Sequence, residues 1–227
     1  MTSKNFSSLS ISSELEANIQ SLGYQTMTDI QAQSLPDILK GKDLLAQAKT
    51  GSGKTAAFAI GMLSNLDTQV FMTQSLVLCP TRELADQVTK EIRQLARAIP
   101  NTNILTLCGG KPLGPQLASL ERNPHIVVGT PGRILKHIGM GTLLLGGIKI
   151  LVLDEADQML SLGFQEDIMN IIRETPAKRQ TLLFSATYPD EIKQISDSIQ
   201  KDPIDVRVES LHDNKKIKQV FYEIQCN

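Results

Sequence analysis

The sequence is poor in the residues that mark several common protein classes. Its 227 residues include no tryptophan, 4% aromatic residues and three cysteines, and these cysteines form no CxxC pair. Cys79 and Cys108 lie in apolar stretches, where a buried thiol is far more common than a metal ligand. The three histidines show no metal-ligand spacing. We therefore expect neither a disulfide framework nor a histidine–cysteine metal site.

The balance of charges and the length of the apolar stretches exclude further classes of protein. Lys and Arg number 23 against 24 Asp and Glu, so no overall positive field attracts nucleic acid, and any such contact must come from local arrangements. The sequence has no stretch of 18 consecutive apolar residues and no signal peptide. Together with the unpaired cysteines, these absences predict a cytoplasmic protein without a membrane segment.

Short aliphatic runs alternate with segments of helical character, such as 82–98 and 164–174. Strands that are apolar throughout are typical of a parallel sheet covered on both faces. The sequence therefore predicts an α/β fold, a mainly parallel sheet with helices on both faces. The predicted strands are 43–48, 75–79, 104–108, 125–129, 149–153, 180–184 and 204–208.

Polar or glycine-rich loops follow six of the predicted strands. In parallel sheets, ligands bind beyond the carboxyl ends of the strands, so these loops predict one active edge. The loops are AKTGSGKT (48–55), PTRELA (80–85), CGG (108–110), GTPGR (129–133), DEAD (154–157) and SAT (185–187).

The first of these loops has the pattern of a phosphate-binding loop, with Ala48 at the first glycine of GxxxxGK[ST]. Glycines let backbone amides turn inward, and a helix beginning near Lys54 directs its positive end at the phosphates. Lys54 would contact the β- and γ-phosphates, and the Thr55 hydroxyl would bind Mg²⁺. The predicted nucleotide-binding residues here are Ala48, Lys49, Thr50, Gly51, Ser52, Gly53, Lys54 and Thr55.

The acidic tetrapeptide at 154–157 directly follows an apolar strand. Asp154 is placed to organise Mg²⁺, and Glu155 to orient and deprotonate the attacking water. Metal binding lowers a carboxylate's basicity, so two adjacent acids divide the tasks better than one. On its own the tetrapeptide could be a solvated acidic helix start. Its pairing with the phosphate loop favours a site that binds ATP with Mg²⁺ and cleaves it.

The full set of motifs resembles the DEAD-box family of ATP-dependent RNA helicases, over essentially all of the chain. The resemblance implies a RecA-like P-loop fold and the first of the family's two RecA-like domains. Residues 73–88 and 100–110 are most similar to the bacterial DbpA type. We expect a nucleotide-recognition segment at 1–35, the RecA-like domain at 36–209, and the start of a linker to a second RecA-like domain at 210–227.

The resemblance also assigns roles around the adenine base. Gln31 matches the family's adenine-reading glutamine, because an amide offers both a donor and an acceptor. Phe6 matches an aromatic residue that stacks on the base, and Tyr24 and Thr28 complete the predicted nucleotide contacts.

Three loops are expected to face RNA. Thr81 and Thr130 are suited to cap helices, and Pro131 suits a first helical position. Backbone amides at such ends, assisted by arginines, can hold phosphates and so contact backbone rather than sequence. The predicted RNA-binding residues are Pro80, Thr81, Arg82, Gly109, Gly110, Thr130, Pro131, Gly132 and Arg133.

The SAT sequence resembles the family motif that couples hydrolysis to strand separation. The Ser185 and Thr187 hydroxyls can hydrogen-bond Asp157. A simpler role for Thr187, as the cap of a helix that follows, stays open.

Function and context are expectations from the resemblance. It implies local unwinding of structured, ribosomal RNA in ribosome biogenesis. A nucleotide-gated RNA clamp fits the same residues, while a P-loop phosphotransferase would leave PTRELA, TPGR and SAT unexplained. The family's HRxGRxxR motif is absent from the sequence. We therefore expect a piece of a longer protein, monomeric by itself, that hydrolyses ATP poorly.

Overall fold

The computed structural model describes residues 4–208, which form an α/β fold around one seven-stranded sheet. The predicted strands are confirmed to within one residue at every end. They are β1 (Leu44–Gln47), β2 (Ser75–Leu78), β3 (Ile104–Leu107), β4 (Ile126–Gly129), β5 (Ile150–Leu153), β6 (Gln180–Ser185) and β7 (Ile204–Arg207).

Helices connect these strands and confirm the helical segments predicted from periodicity. One 3₁₀ turn, at Phe6–Ser8, precedes the first α-helix, and another, at Ala96–Ala98, follows the fourth. The α-helices are α1 (Ser13–Ser21), α2 (Asp29–Leu39), α3 (Lys54–Ser64), α4 (Arg82–Leu95), α5 (Leu113–Leu120), α6 (Pro131–Gly139), α7 (Ala156–Ser161), α8 (Gln165–Arg173) and α9 (Asp190–Ile199).

Every pair of neighbouring strands runs parallel, in the order β3-β4-β2-β5-β6-β1-β7. β1 lies between β6 and β7, and β5 lies between β2 and β6. The strands that precede the phosphate loop, the DEAD tetrapeptide and the SAT motif are therefore close neighbours. Their carboxyl ends share one edge of the sheet, called the carboxyl edge below.

Side chains along each strand alternate between two apolar cores. In β5, Val152 packs into the core beneath α1 to α4, whereas Leu151 and Leu153 pack into the core beneath α5 to α9. Rings of Phe58 and Phe184, 5.4 Å apart, join α3 to β6 in the first core. Helices thus cover both faces, as predicted.

The cysteines at 79 and 108 are free and fully buried, as their apolar surroundings predicted. In residues 4–208 no helix is long and apolar enough to cross a bilayer. The predicted linker at 210–227 lies outside the described residues.

Candidate active site

The phosphate loop joins β1 to α3 and has the backbone that its glycines predicted. Gly51 and Gly53 take positive φ angles of 80° and 94°, and Gly53 caps the amino end of α3. A side chain at Gly53 would collide with the amide of Gln31. The loop therefore leaves its amides and the positive end of α3 facing one cavity.

That cavity holds about 190 Å³ and lies between the phosphate loop, the carboxyl end of β5 and one side of α4. Lys54 is buried, and its Nζ lies 3.3 Å from Glu155 Oε1. Thr50 donates a second hydrogen bond of 2.7 Å to the same oxygen. The structure thus brings the predicted phosphate-binding lysine and the predicted water-activating acid into direct contact.

Asp154 is only 2% exposed, and its Oδ1 atom has no hydrogen-bond partner among the described residues. Burial raises the pKa of Asp154 to about 6, although the charge of Lys54 opposes the rise. A buried oxygen without a partner is a suitable ligand for a hard cation. Thr55 lines the same cavity, so the residues present fit the predicted Mg²⁺ site.

Mg²⁺ in nucleotide sites takes only one or two protein carboxylates and completes its coordination with phosphates and water. Within residues 4–208 no group of three or more His, Cys, Asp or Glu residues could hold a metal ion. A Mg²⁺ ion held by Asp154 and Thr55 would therefore need phosphate and water ligands to complete its coordination.

Glu155 adopts a left-handed backbone conformation, with φ 54° and ψ 51°, immediately before α7. Such a conformation is uncommon for a residue with a long side chain and costs about 1–3 kcal/mol. It gives adjacent acids different surroundings, because Asp154 stays buried while Glu155 meets Lys54 and Thr50. The sequence predicted two roles here but not this turn of the backbone.

Gln31 is 1% exposed and joins α2 to the phosphate loop. Its Oε1 accepts a 2.9 Å hydrogen bond from the Thr28 amide, and its Nε2 donates a 3.1 Å bond to the Gly53 carbonyl. An amide side chain has two donor and two acceptor positions. One donor and one acceptor position of the Gln31 amide therefore remain unused by these two bonds.

Phe6 is a core residue in this structure, with 2% of its surface exposed. Its ring meets that of Tyr24 edge-on, with ring centres 6.4 Å apart. The predicted stacking of Phe6 on a base would require this ring to be uncovered.

The three loops predicted to face RNA lie side by side at the ends of β3, β4 and β2. The Arg82 guanidinium lies against Gly110, where any side chain would collide with it. Arg133 donates hydrogen bonds to the Lys111 carbonyl (3.3 Å) and to Gln116 Oε1 (3.2 Å). The two arginines therefore both contact the loop that follows β3, Arg82 at Gly110 and Arg133 at Lys111.

The caps of the two helices in these loops differ. Thr81 Oγ1 accepts a 3.2 Å hydrogen bond from the Leu84 amide, as a helix cap should. Thr130 occupies the cap position of α6, with Pro131 at the first helical position, but its hydroxyl makes no capping bond within the described residues. The remaining predicted RNA-binding residues in the three loops are Pro80, Gly109 and Gly132.

Asp157 connects the DEAD tetrapeptide to the SAT motif. Its Oδ2 accepts hydrogen bonds from the Thr187 amide (2.9 Å) and hydroxyl (2.8 Å). Burial alone would raise the pKa of Asp157, but these bonds outweigh it and lower the pKa. The buried Ser185 hydroxyl also helps to lower the pKa of Asp157, but it makes no hydrogen bond of ordinary geometry in residues 4–208, so Thr187 makes the closer of the two predicted contacts.

The simpler role considered for Thr187 is wrong, because α9 begins at Asp190 and its cap position is occupied by Pro189. Proline fixes its own backbone close to the value required at a helix start. The two residues between Thr187 and α9 thus leave the Thr187 hydroxyl free to bind Asp157.

Sequence reasoning missed Glu91, which lines the nucleotide cavity from α4. The Tyr24 hydroxyl donates a 3.4 Å hydrogen bond to its Oε1. Burial raises the pKa of Glu91, and hydrogen bonds from the hydroxyls of Tyr24 and Thr55 offset part of the rise. A sequence signal existed, because Glu91 lies seven residues after Leu84, on a side of α4 that also borders the cavity.

Several RNA helicases have sequences similar to that of this chain. DbpA, an ATP-dependent RNA helicase of Escherichia coli, is 57% identical over 206 residues, which are 91% of this chain and 45% of that protein. The helicase CshA of Geobacillus kaustophilus is 42% identical over 220 residues, 96% of this chain and 47% of its own length. The chain therefore spans about half the length of these relatives. The predicted similarity to the DbpA type is confirmed.

A solved structure and a family model agree with these relatives. A DEAD box protein from the hyperthermophile Methanococcus jannaschii superimposes with a TM-score of 0.87 at 40% identity, covering 91% of this chain and 56% of that one. This match confirms the RecA-like fold. A family model described as DEAD/DEAH box helicase matches residues 28–195, well over half of the chain. On both grounds, the chain belongs to the DEAD/DEAH box helicase family.

Proposed function

We propose that this chain is the ATP- and RNA-binding first domain of an ATP-dependent RNA helicase, in which ATP hydrolysis drives local unwinding of RNA duplexes. The observation that carries the proposal is the convergence at the carboxyl edge. Lys54, Glu155 and the partnerless oxygen of Asp154 border one cavity beside the phosphate loop. Each has the chemistry that phosphoryl transfer to water requires.

In this mechanism the amides of the phosphate loop and Lys54 hold the β- and γ-phosphates. Thr55 and Asp154 would hold Mg²⁺, which supplies positive charge to the phosphate oxygens. Glu155 must leave Lys54 and Thr50 when phosphates enter, because those two groups are then used by the nucleotide. Its freed carboxylate orients the attacking water and accepts a proton from it.

RNA binding is proposed for the three neighbouring loops at 80–82, 109–110 and 130–133. Their arginines and helix amino ends provide donors for backbone phosphates without contacts that select a base. Structured ribosomal RNA as the target, a role in ribosome biogenesis, cytoplasmic location and a monomeric domain stay predictions. They rest on the resemblance to the DbpA type. A second RecA-like domain as partner rests on the same ground.

The substitution Glu155→Gln in the full-length protein tests the proposal against the clamp alternative. It keeps the side chain's size but removes the base, so ATP binding should persist while hydrolysis falls at least a hundredfold, or about 2.7 kcal/mol of barrier. A helicase that must turn over should then fail to unwind repeatedly, whereas a clamp should still act once per molecule.

Glu166→Gln, at an exposed position on α8, is the matched control and should behave as the unaltered protein. Steady-state ATP hydrolysis and multiple-turnover duplex separation are the measurements. Full duplex separation over many turnovers by the Glu155→Gln protein would rule out hydrolysis-driven unwinding.

A further inference from the structure

Gln116, on α5, bonds to Arg133 but has no role in the function proposed above. Its side chain is buried, with 6% of the residue exposed. Its Nε2 donates a 3.1 Å hydrogen bond to the carbonyl of Cys108, the residue before Gly109. Its Oε1 accepts the 3.2 Å hydrogen bond from Arg133 Nη1. One buried side chain therefore joins the loop after β3 to the loop at 130–133.

The surroundings of the Gln116 amide allow it only one orientation. The Arg133 guanidinium has donors only and must face Oε1, whereas the Cys108 carbonyl can only accept and must face Nε2. His137 is fully buried, and its Nε2 lies 3.0 Å from the same Oε1. This ring nitrogen must therefore carry a proton and donate it to Gln116. Gln116 is thus anchored at Cys108 and His137, and it presents a fixed acceptor to Arg133.

Arg133 is a long, partly exposed side chain that would otherwise occupy many rotamers. Its two hydrogen bonds, to Gln116 and to the Lys111 carbonyl, both use Nη1. Nη2 and Nε form the other edge of the guanidinium, and two parallel donors on one edge suit a phosphate group. A side chain that is ordered before its ligand arrives avoids the entropy loss of being ordered on binding.

We propose that Gln116 is a positioning residue for RNA binding, which holds the guanidinium of Arg133 in the orientation that contacts the sugar-phosphate backbone. Because it is buried, it acts through Arg133 and does not itself touch RNA. The inference rests on the proposed function, since it requires that Arg133 binds RNA.

Gln116→Met in the full-length protein tests this role, because methionine keeps the length and charge of the side chain but removes both hydrogen bonds. Affinity for a short single-stranded RNA, measured by fluorescence anisotropy, should fall about three- to tenfold. In the Arg133→Ala background the same substitution should change the affinity by less than about twofold, because the side chain that Gln116 positions is gone. A general loosening of the loops would weaken RNA binding in both backgrounds.

A second variant and a control accompany this double-mutant cycle. Gln116→Asn keeps the amide but is one methylene shorter, so it cannot bond to Cys108 and Arg133 together, and it should show the same dependence on Arg133. Gln194→Met, at an exposed position of α9, should bind RNA as the unaltered protein does. ADP affinity should be unchanged in all variants, because Gln116 lies outside the set of described residues that line the nucleotide cavity.

Unchanged RNA affinity in both Gln116 variants would overturn the inference. So would an equal loss of affinity with and without Arg133, since Gln116 would then affect RNA by another route. Loss of ADP binding in both variants would identify a structural residue and overturn it as well. If the unaltered full-length protein bound no single-stranded RNA, the proposed RNA binding would itself be wrong, a result distinct from these three.

Discussion

At the scale of single residues, the two adjacent acids at 154 and 155 lie in very different surroundings. Asp154 ends a buried strand, and the left-handed conformation of Glu155 separates the surroundings of the two carboxylates. One is deeply buried with an open oxygen, and the other is held by a lysine and a threonine. The strained backbone of Glu155 therefore accompanies the different surroundings of the two carboxylates.

Lys54→Ala should weaken nucleotide binding far more than it weakens the fold. Under the proposed function, Lys54 would provide charge-assisted hydrogen bonds to phosphates, each worth about 1.5–3 kcal/mol, so nucleotide affinity should fall by about ten- to a hundredfold. Glu155 keeps the bond from Thr50 and is 14% exposed, which limits the cost of losing its cation. Calorimetric titration with ADP gives the affinity, and circular dichroism gives the fold.

Lys90→Ala, at an exposed position of α4, is the control for charge and should bind as the unaltered protein. Loss of the folded state on Lys54→Ala would instead identify a structural lysine.

Asp154→Asn should stabilise the nucleotide-free protein at alkaline pH. The pKa of Asp154 is about 6 in the folded protein, against 3.8 for an unperturbed aspartate side chain. The folded protein therefore keeps a proton that the unfolded chain has lost, and the favourable contribution present below about pH 4 is lost as pH rises through 6. At about 1.36 kcal/mol per pKa unit, the ionised side chain costs up to about 3 kcal/mol.

Asparagine does not ionise, so the gain in stability of Asp154→Asn over the unaltered protein should be largest near pH 8 and vanish near pH 4. Urea unfolding across this range measures it, with Asp197→Asn on the exposed surface of α9 as control. A pH-independent difference between the two proteins would contradict the argument.

At the scale of elements, α2 and the phosphate loop are joined by the two hydrogen bonds of Gln31. The bond from Thr28 supports the amino end of α2, and the bond to Gly53 fixes the loop that precedes α3. We therefore expect any shift of the phosphate loop to reach the start of α2 through the side chain of Gln31.

Gln31→Ala should erode the discrimination between ATP and GTP by about tenfold. The base would lose two neutral hydrogen bonds of about 0.5–1.5 kcal/mol each, and the helix cap would lose about 1 kcal/mol of stability. Competition binding with ATP and GTP measures the effect. Gln33→Ala, at an exposed position of the same helix, should change neither property; undiminished selectivity of Gln31→Ala would place adenine recognition elsewhere.

The strands and helices could be predicted from the sequence where a single signal, such as burial on both faces, set their bounds. The strands were found because β2, β4 and β5 are apolar on both faces, so their sequence runs end where burial ends. The cap of α9 was missed because the choice between Thr187 and Pro189 depends on a tertiary bond to Asp157. Glu91 was missed for a similar reason, since its neighbours Tyr24 and Thr55 come from distant parts of the chain.

At the scale of the whole molecule, the carboxyl edge divides into two halves. The loops after β3, β4 and β2 carry the predicted RNA contacts, and those after β5, β6 and β1 carry the nucleotide and coupling residues. The boundary falls between β2 and β5, which pair directly. The residues predicted to bind RNA and those predicted to bind nucleotide are therefore carried by one sheet, and no residue belongs to both sets.

Arg133→Ala should lower RNA affinity and its dependence on salt together. Each phosphate contact to single-stranded RNA contributes about 0.7 to the slope of log affinity against log salt, so the slope should fall by about that amount. Arg122→Ala, at an exposed position before β4 and far from the carboxyl edge, is the control. Fluorescence anisotropy with a short single-stranded RNA measures both slopes, and an unchanged slope for Arg133→Ala would remove this arginine from the RNA site.

The strand order also has a consequence for synthesis on the ribosome. Within the described residues β1 pairs in the sheet with β6 and β7 and with no other strand, although it is the first strand made. Ser185, the last residue of β6, is translated 138 residues after Gln47, the last of β1 (185 minus 47). At about 5–20 residues per second, the strand leading to the phosphate loop waits roughly 7–28 seconds for its first partner. The strand that leads to the predicted phosphate loop is thus made first, yet it gains its sheet neighbours only when the last two strands, β6 and β7, have been made.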